Sequence, residues 1–317
     1  MINQIEIIRE GTHTSIQDDG FNNVKHLGIT TGGVIDIKLF RLANMLVKNN
    51  IKTPVIEFAY QGPSLKIKKG KCRIAITGNV VFKIIKDKKN ITGRCFKTYN
   101  LGVGDILDVK STVDSNYGYI AIEGGFKLNK IFKSYSTLTS SKIGFNDGKC
   151  LQKGQKIFFN KNRSSDKNLF INIKKQNLSN IIRVIQGPQM NYFMIKTIKN
   201  FFNKPFTISN TANRIGVRLK NNTIKSVKTH DIPSEGIVKG SIQVPGNGDP
   251  IVLINDHPTI GGYPKIAKVI QSDLSKLAQL PIGSIFYFKE ITLKEAEKNL
   301  IKYYNEIDKL KDHIFYI

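Results

Sequence analysis

The run GGYPK at residues 261–265 combines residue types that can bind an anion or a carbonyl oxygen. Its two glycines have no Cβ, so their backbone N–H groups can come close to a ligand. The lysine adds an ammonium group. An apolar strand pattern (residues 251–254) precedes the run, and an apolar helical pattern (residues 266–280) follows it. We therefore expect the loop to lead into a helix N-terminus, whose partial positive charge would favour a bound anion.

Two readings of this loop stay open. A tight turn between a strand and a helix, with a solvated Lys265, needs no ligand. Against that reading, Asp256 and His257 lie shortly before the glycines, so several polar groups can converge on one place. His257 suits either a hydrogen-bonded loop position or a general base.

Three further polar residues occur in the second half of the chain. Alternation from Arg214 to Arg218 predicts that Ile215 and Val217 face one side and that Arg214 faces the other. Arg214 would then either bind a carboxylate or phosphate through two hydrogen bonds or lie on the surface. Glu235 and Gln243 border glycine turns, where each can hold a loop or contact a substrate.

A second group of candidates lies near the N-terminus. Gln17 and Asp18 end the first strand pattern, and Asp36 stands before an amphipathic run that ends near Lys48. Asp36 can cap this helix or bind a ligand. Arg41 faces either a ligand or solvent.

Composition restricts the class of protein. The 317 residues suffice for two hydrophobic cores, and 40% of them are hydrophobic. No run approaches the ~20 apolar residues of a membrane span, and the N-terminus has no secretory pattern. The three cysteines show no metal-ligand spacing. We expect a cytoplasmic protein with no metal site of its own.

The net charge of +25 raises the question of nucleic acid. The lysines are spread along the whole chain, however, and no helix-turn-helix, zinc-finger or arginine-rich pattern accompanies them. A basic surface also suits an anionic ligand or an acidic partner subunit. We expect neither nucleic acid nor a membrane as a partner.

Short strand patterns separated by turn residues dominate the chain, so we expect a mainly β protein with a few helices. The polar run 160–180 resembles a linker. It divides a first domain, residues 1–165, from a second, residues 178–290, and each suits a closed or nearly closed β-barrel. Residues 291–317 form a C-terminal helix, which a Thr292–Glu295 capping box begins. We expect this helix to pack on the second barrel or on a partner.

Several sequence blocks share their order and spacing with one family. They are TSIQD at 14–18, HLG at 26–28, GGVID at 32–36, RLAN at 41–44, VIQGPQ at 184–189, NRIGVRL at 213–219, SEGIVKGSIQVP at 234–245 and the GGYPK loop. With these blocks the chain resembles the family of the 5-oxoprolinase C subunit, also called allophanate hydrolase subunit 2 or the kinase-inhibitor antagonist family. The carboxyltransferase domain of urea carboxylase belongs to the same family.

This resemblance implies two cyclophilin-like β-barrels and a subunit of an ATP-dependent complex. The complex would hydrolyse 5-oxo-L-proline to L-glutamate, using ATP with Mg held together with a partner subunit. The implied partners are the B subunit, an allophanate hydrolase subunit 1-type protein, and a lactam hydrolase-like A subunit. The implied catalytic residues are Lys265, Asp256 and Arg214, with Asp256 orienting Lys265 or holding a metal-bound nucleotide, and Arg214 binding the substrate carboxylate. The implied substrate-binding residues are Gly261, Gly262, Tyr263, Gln243, Glu235, Gln17, Asp18, Asp36 and Arg41.

Two alternative functions remain. In a biotin-dependent urea carboxylase, the same pocket would hold carboxylated biotin, and the biotin carrier would be a separate component because this chain has no Met-Lys-Met sequence. As a non-catalytic antagonist of a histidine-kinase inhibitor, the protein would need only a binding surface.

Overall fold

The computed structural model describes residues 3–160, 167–173, 179–228 and 230–317. The chain divides into two compact units. The first unit comprises Met1–Asn22, Gly32–Lys175 and Glu306–Ile317, and the second comprises Asn23–Thr31 and Gln176–Asn305. The division places a short N-terminal segment in the second unit and the C-terminal residues in the first, which the sequence did not indicate.

Strands make up most of the regular structure. In chain order they are β1 (Asn3–Arg9), β2 (Ser15–Gln17), β3 (Val55–Ala59), β4 (Ser64–Lys69), β5 (Cys72–Thr77), β6 (Val80–Lys86), β7 (Lys89–Thr92), β8 (Thr98–Leu101), β9 (Ile106–Thr112), β10 (Tyr117–Ile122), β11 (Lys156–Phe159), β12 (Leu169–Phe170), β13 (Ile181–Gln186), β14 (Phe206–Ile208), β15 (Gly216–Lys220), β16 (Glu235–Gly236), β17 (Ser241–Gln243), β18 (Ile251–Leu253), β19 (Ile260–Gly261), β20 (Lys265–Val269), β21 (Ile285–Glu290) and β22 (Phe315–Tyr316).

The α-helices are α1 (Ile37–Leu46), α2 (Ile195–Asn203), α3 (Gln271–Gln279) and α4 (Leu293–Lys309). Short 3-10 helices occupy Lys25–Leu27, Thr139–Ser141, Phe145–Gly148, Met190–Tyr192 and Leu310–His313. In the part of the chain that the structure describes, no helix combines the length and the apolar composition needed to cross a membrane.

Two large sheets build most of the first unit. One has the order β11-β1-β4-β9-β6-β7, and the other has the order β2-β3-β10-β5-β8. Period-2 alternation in β1 buries Ile5 and Ile7, and these side chains share one core with Phe58 and Ile120 of the other sheet. Helix α1 packs against β5 and β10. Burial raises the pKa of the Cys72 thiol on β5 to about 12, as expected for a buried cysteine.

The start of α1 confirms that Asp36 is an N-cap. The Asp36 carboxylate accepts a hydrogen bond from the backbone N–H of Leu39 at 3.2 Å. The backbone N–H of Asp36 donates in turn to the hydroxyl of the buried Tyr119 at 2.7 Å. The helix therefore starts at a position that β10 fixes.

Asp18 ties the first unit together through both of its carboxylate oxygens. Oδ1 accepts from the hydroxyls of Ser134 and Ser136, each at 2.6 Å, and from the backbone N–H of Gly20 at 2.9 Å. Oδ2 accepts from the backbone N–H of Tyr135 at 2.8 Å. Hydrogen bonds to a charged acceptor are stronger than neutral ones, so these four donors hold the loop around Asp18 in place.

The second unit contains a closed barrel with the order β13-β20-β17-β18-β15-β14-β21, which the parallel pairing of β13 with β21 completes. Four phenylalanines fill one part of it. Phe201 of α2 stacks on Phe288 at a centroid distance of 4.8 Å, and Phe206 and Phe286 pack on Phe288 at 5.3 and 5.1 Å. The mainly β fold with few helices is confirmed. The closed barrel lies in the second unit, whereas the described strands of the first unit form two large sheets and the two-stranded sheet of β12 and β22.

The C-terminal helix begins as predicted. Glu295 accepts from the backbone N–H of Thr292 at 2.8 Å, and the Thr292 hydroxyl accepts from the backbone N–H of Glu295 at 3.2 Å. Residues 293–305 of this helix belong to the second unit, as expected, and Asn299 accepts a hydrogen bond there from Arg183 of β13. Residues from Glu306 onward belong to the first unit, which the sequence does not indicate. There β22 pairs with β12, and Phe315 meets Phe170 edge to face at 5.3 Å.

The expected linker, residues 160–180, lies partly outside the described residues. Its longest described stretch, residues 167–173, includes β12 and is tied to the first unit. The guanidinium of the buried Arg73 donates to the carbonyl of Lys167 at 2.9 Å, for example. This part of the run forms ordered structure in the first unit instead of a spacer.

We predict that Asp18→Asn will destabilise the first unit by about 3 kcal/mol, because the amide removes a charge and presents a donor to groups that are themselves donors. Urea unfolding followed by circular dichroism measures this loss. The matched control is Asp19→Asn, since Asp19 forms an ion pair with the exposed Lys52 at 3.6 Å, and such pairs contribute little. Equal stability of the two variants would contradict the role of Asp18.

Candidate functional site

Lys265 is a buried cation at the start of β20. Its ammonium group forms an ion pair with the carboxylate of Glu235 on β16. Pro264, just before it, accepts a hydrogen bond from the backbone N–H of Val244 at 3.0 Å, which ties the end of the loop to the strand after β17. A buried ammonium group is costly unless an anion accompanies it, so the pair with Glu235 compensates its burial.

Gln189 bridges the lysine and the glutamate. Its side-chain Oε1 accepts from the backbone N–H of Lys265 at 3.1 Å, and its Nε2 donates to Glu235 at 2.8 Å. Gly187 makes this approach possible, since a Cβ at residue 187 would lie 2.3 Å from the Lys265 carbonyl oxygen. The VIQGPQ block therefore delivers an oriented amide to the ion pair.

Gln243 supplies a second amide beside the same group. It faces Lys265 in the pairing of β17 with β20, and it is buried. Its Nε2 has no hydrogen-bond partner among the described residues. This atom lies 2.8 Å from the place of a Cβ at Gly261, and Gly261 itself pairs with Glu235 across β16 and β19. These contacts make a closed ring of neighbours, called the Lys265 ring below, which consists of Lys265, Gln243, Gly261 and Glu235.

The environment of Glu235 favours its ionised form. The hydrogen bond from Lys265 and then that from Gln189 hold its pKa below the usual value of 4.5. At neutral pH the ring and Gln189 therefore hold one ammonium group, one carboxylate and two amides. Ammonium and amide N–H groups are donors that can bind a carboxylate or an oxyanion.

The structure corrects the predicted helix after the glycines. Residues 265–269 form the strand β20, and α3 begins only at Gln271. No helix N-terminus therefore follows the GGYPK loop directly. The glycines also serve close approach and not an unusual backbone turn. A Cβ at Gly261 would lie 2.4 Å from Ile237 Cδ1, and one at Gly262 would lie 2.9 Å from the Ile232 carbonyl oxygen.

Arg214 and Asp256 form a separate, buried ion pair. Arg214 Nε and Nη2 donate to the two carboxylate oxygens of Asp256 at 2.8 and 2.9 Å. Asp256 therefore orients Arg214 and does not pair with Lys265 as expected. The predicted alternation also fails here, because β15 begins only at Gly216 and Ile215 is 43% exposed.

His257 is a buried residue for which the sequence allows two roles, a hydrogen-bonded loop position or a general base. Its Nδ1 lies 2.7 Å from the carbonyl oxygen of Pro258, which can only accept, so Nδ1 carries the proton. Its Nε2 is buried with no hydrogen-bond partner among the described residues. Burial first, and then the charges of Lys25 and Lys239, lower its pKa from the usual 6.5, against the opposite effects of the Pro258 hydrogen bond and Asp256.

Most of the remaining predicted site residues lie in the first unit, away from the Lys265 ring in the sequence. Tyr263 is 40% exposed beside the ring. Gln17, Asp18, Asp36 and Arg41 all belong to the first unit. The Gln17 amide donates to Ser15 at 3.0 Å and to Thr137 at 2.8 Å, and Arg41 lies 3.8 Å from Asp308. The second unit alone brings Lys265, Glu235, Gln243 and Gly261 together. Across the described ranges, no group of three or more His, Cys, Asp or Glu side chains could hold a metal ion.

The site residues predicted from the sequence do not include Gln189. Its position at the end of the block VIQGPQ is a usable signal, since the glycine and proline there indicate a close turn. What the sequence does not provide is the partner, because Gln189 and Lys265 are 76 positions apart.

Residues 27–290 match the family model described as carboxyltransferase domain, subdomain A and B. The chain belongs to this family. The match begins within the 26–28 block and includes β3 to β21, and therefore every residue of the Lys265 ring.

Individual relatives agree with this assignment. The chain is 31% identical over 294 residues to the C subunit of 5-oxoprolinase from Escherichia coli, and the match covers 93% of each chain. It is 30% identical to urea amidolyase of Saccharomyces cerevisiae, covering 94% of this chain and 17% of that protein. Among solved structures, the urea carboxylase of Kluyveromyces lactis superimposes with a TM-score of 0.85 at 25% identity, covering 98% of this chain and 30% of that one.

We predict that His257 makes the second unit less stable in acid. Because the pKa of His257 is lower when folded, the unfolded chain takes up the proton first as pH falls below 6.5. Between pH 7.5 and 5, the free energy of unfolding of His257→Asn should therefore fall less than that of the native chain. At pH 7.5 and above, the histidine is neutral in both the folded and the unfolded state and has no such effect. Urea unfolding at several pH values measures this, and parallel curves for the two proteins would contradict it.

Proposed function

We propose that this protein is a subunit of an ATP-dependent 5-oxoprolinase complex that converts 5-oxo-L-proline to L-glutamate and is active only with its partner subunits. The supporting observation is the buried Lys265 with amide donors from Gln189 and Gln243, in a chain that matches the 5-oxoprolinase C subunit along 93% of that protein. The partners that we propose are an allophanate hydrolase subunit 1-type protein and a lactam hydrolase-like protein.

The chemistry of the substrate suits such a group. 5-Oxo-L-proline carries a carboxylate and a stable lactam, and opening the lactam develops negative charge on its oxygen. A buried ammonium group with preorganised amide donors stabilises either charge more strongly than water does. We therefore propose Lys265 as the residue that contacts the negatively charged group of the substrate, together with Gln189, Gln243 and the backbone at Gly261 and Gly262.

We propose structural roles near the site for Arg214, Asp256 and Tyr263. Arg214 and Asp256 hold the loop before Gly261 through their ion pair, which the backbone hydrogen bond from Asp256 to the Arg214 carbonyl at 2.8 Å reinforces. Tyr263, which is 40% exposed, would line the solvent-facing side of the Lys265 site. We propose that ATP with Mg binds mainly to the partner subunits.

The second candidate function is carboxyl transfer in a biotin-dependent urea carboxylase. The relatives named urea amidolyase and urea carboxylase favour it, although this chain covers 17% of the yeast protein and 30% of the Kluyveromyces lactis structure. The same donors would then hold the carboxyl group of carboxylated biotin on a separate carrier. In both functions the site binds an anionic carboxyl group. It belongs to 5-oxo-L-proline in the first function and to carboxylated biotin in the second.

We predict that Lys265→Met will reduce turnover by the reconstituted complex at least 100-fold, because methionine keeps an unbranched side chain as far as Cε and removes the ammonium group beside Glu235. The assay is ATP-dependent release of glutamate from 5-oxoproline. The control is Lys268→Met, the same change on the same strand at a position without the Glu235 contact. Activity of Lys265→Met within threefold of the native complex would contradict the proposed role.

Two assays of the same reconstituted complex separate the two functions. Release of glutamate without transfer of a carboxyl group from carboxylated biotin to urea supports the 5-oxoprolinase. Carboxyl transfer without glutamate release would replace it with the carboxyltransferase.

A further inference from the structure

Glu235 and Lys265 differ in their access to solvent. The side chain of Glu235 is 42% exposed, whereas that of Lys265 is 5% exposed. Glu235 lies on a strand of only two residues, and β16 pairs with the equally short β19. The carboxylate thus reaches the buried ammonium group from the solvent side. Because it is already partly hydrated, little change in its hydration is needed for it to move away into water.

The donors around Glu235 suit a carboxylate from any source. Lys265 Nζ and Gln189 Nε2 both contact the same oxygen, Glu235 Oε1. Gln189 is fixed in this orientation because its own Oε1 accepts from the backbone of Lys265 at 3.1 Å. Gln189 therefore keeps its position when the glutamate leaves.

Gln243 adds a donor that Glu235 does not use. Gln243 is 5% exposed, and its Nε2 is buried without a partner among the described residues, next to Gly261. A buried amide N–H without an acceptor costs free energy. A ligand carboxylate that approached Lys265 from the side of Gln243 would give this amide an acceptor, which Glu235 does not do.

We propose that Glu235 is an internal occupant of a carboxylate site, and that the carboxylate of the substrate displaces it. This inference rests on the site of the proposed function and specifies its ligand as a carboxylate. Glu235 keeps the buried ammonium group neutralised until the ligand arrives. Displacement exchanges one carboxylate for another, so only a ligand that uses the additional donor of Gln243 competes well.

A different role for Glu235 predicts different behaviour. If Glu235 bound an N–H group of the substrate or accepted its proton, removing its charge would weaken binding or slow turnover. As an internal competitor, its removal strengthens the binding of a carboxylate. The sign of the change in affinity therefore separates the two roles.

The test is calorimetric titration of the full chain with acetate, bicarbonate, 5-oxo-L-proline and inorganic phosphate. We expect Glu235→Gln to lower the Kd of acetate and 5-oxo-L-proline at least fivefold, and Glu235→Ala to lower it by at least as much. Lys265→Met should abolish binding in either background. The matched control is Glu290→Gln, because Glu290 also accepts from a glutamine, Gln186, at 2.6 Å but has no ion pair with Lys265.

Unchanged or weaker carboxylate binding by both Glu235 variants would overturn the proposal. A gain for phosphate without a gain for the carboxylates would overturn the assigned ligand class. Because binding is measured on the isolated chain, its outcome is independent of the 5-oxoprolinase assay. Tighter carboxylate binding beside a complex that releases no glutamate would leave the site in place and remove the proposed function.

Discussion

A buried ammonium group needs a negative partner, and in the second unit this need organises the candidate site. Lys265 begins a barrel strand, so its backbone is fixed by the sheet, and its charge must be neutralised where it lies. The partner is Glu235, which the short ladder of β16 and β19 carries to it. Gln189 connects the two, and Gly187 allows the backbone of its segment to come close enough.

Two ion pairs in this unit differ in the burial of their anions. Arg214 and Asp256 are both buried and meet through two hydrogen bonds, so the charges satisfy each other and stabilise a loop. In the pair of Lys265 and Glu235, the cation is buried and the anion is exposed. Such a pair can exchange its anion, which is why we place the ligand at Lys265 and not at Arg214.

Local patterns in the sequence predicted local structure well. The Asp36 cap and the Thr292–Glu295 capping box follow from capping chemistry over a few residues. The predicted helix after the GGYPK loop failed, because a short apolar run suits a buried strand as well as a helix. The pairings of Arg214 with Asp256 and of Gln189 with Lys265 depend on contacts 42 and 76 positions apart, and no local pattern encodes them.

The central claim is that Lys265 and Glu235 are paired in the native protein. NMR titration of the Glu235 side-chain carboxyl carbon tests it directly. We expect the pKa of Glu235 to lie below its usual value of 4.5 in the native chain and to rise toward that value in Lys265→Met. A pKa of Glu235 at or above the usual value in the native chain, unchanged by the loss of Lys265, would contradict the account.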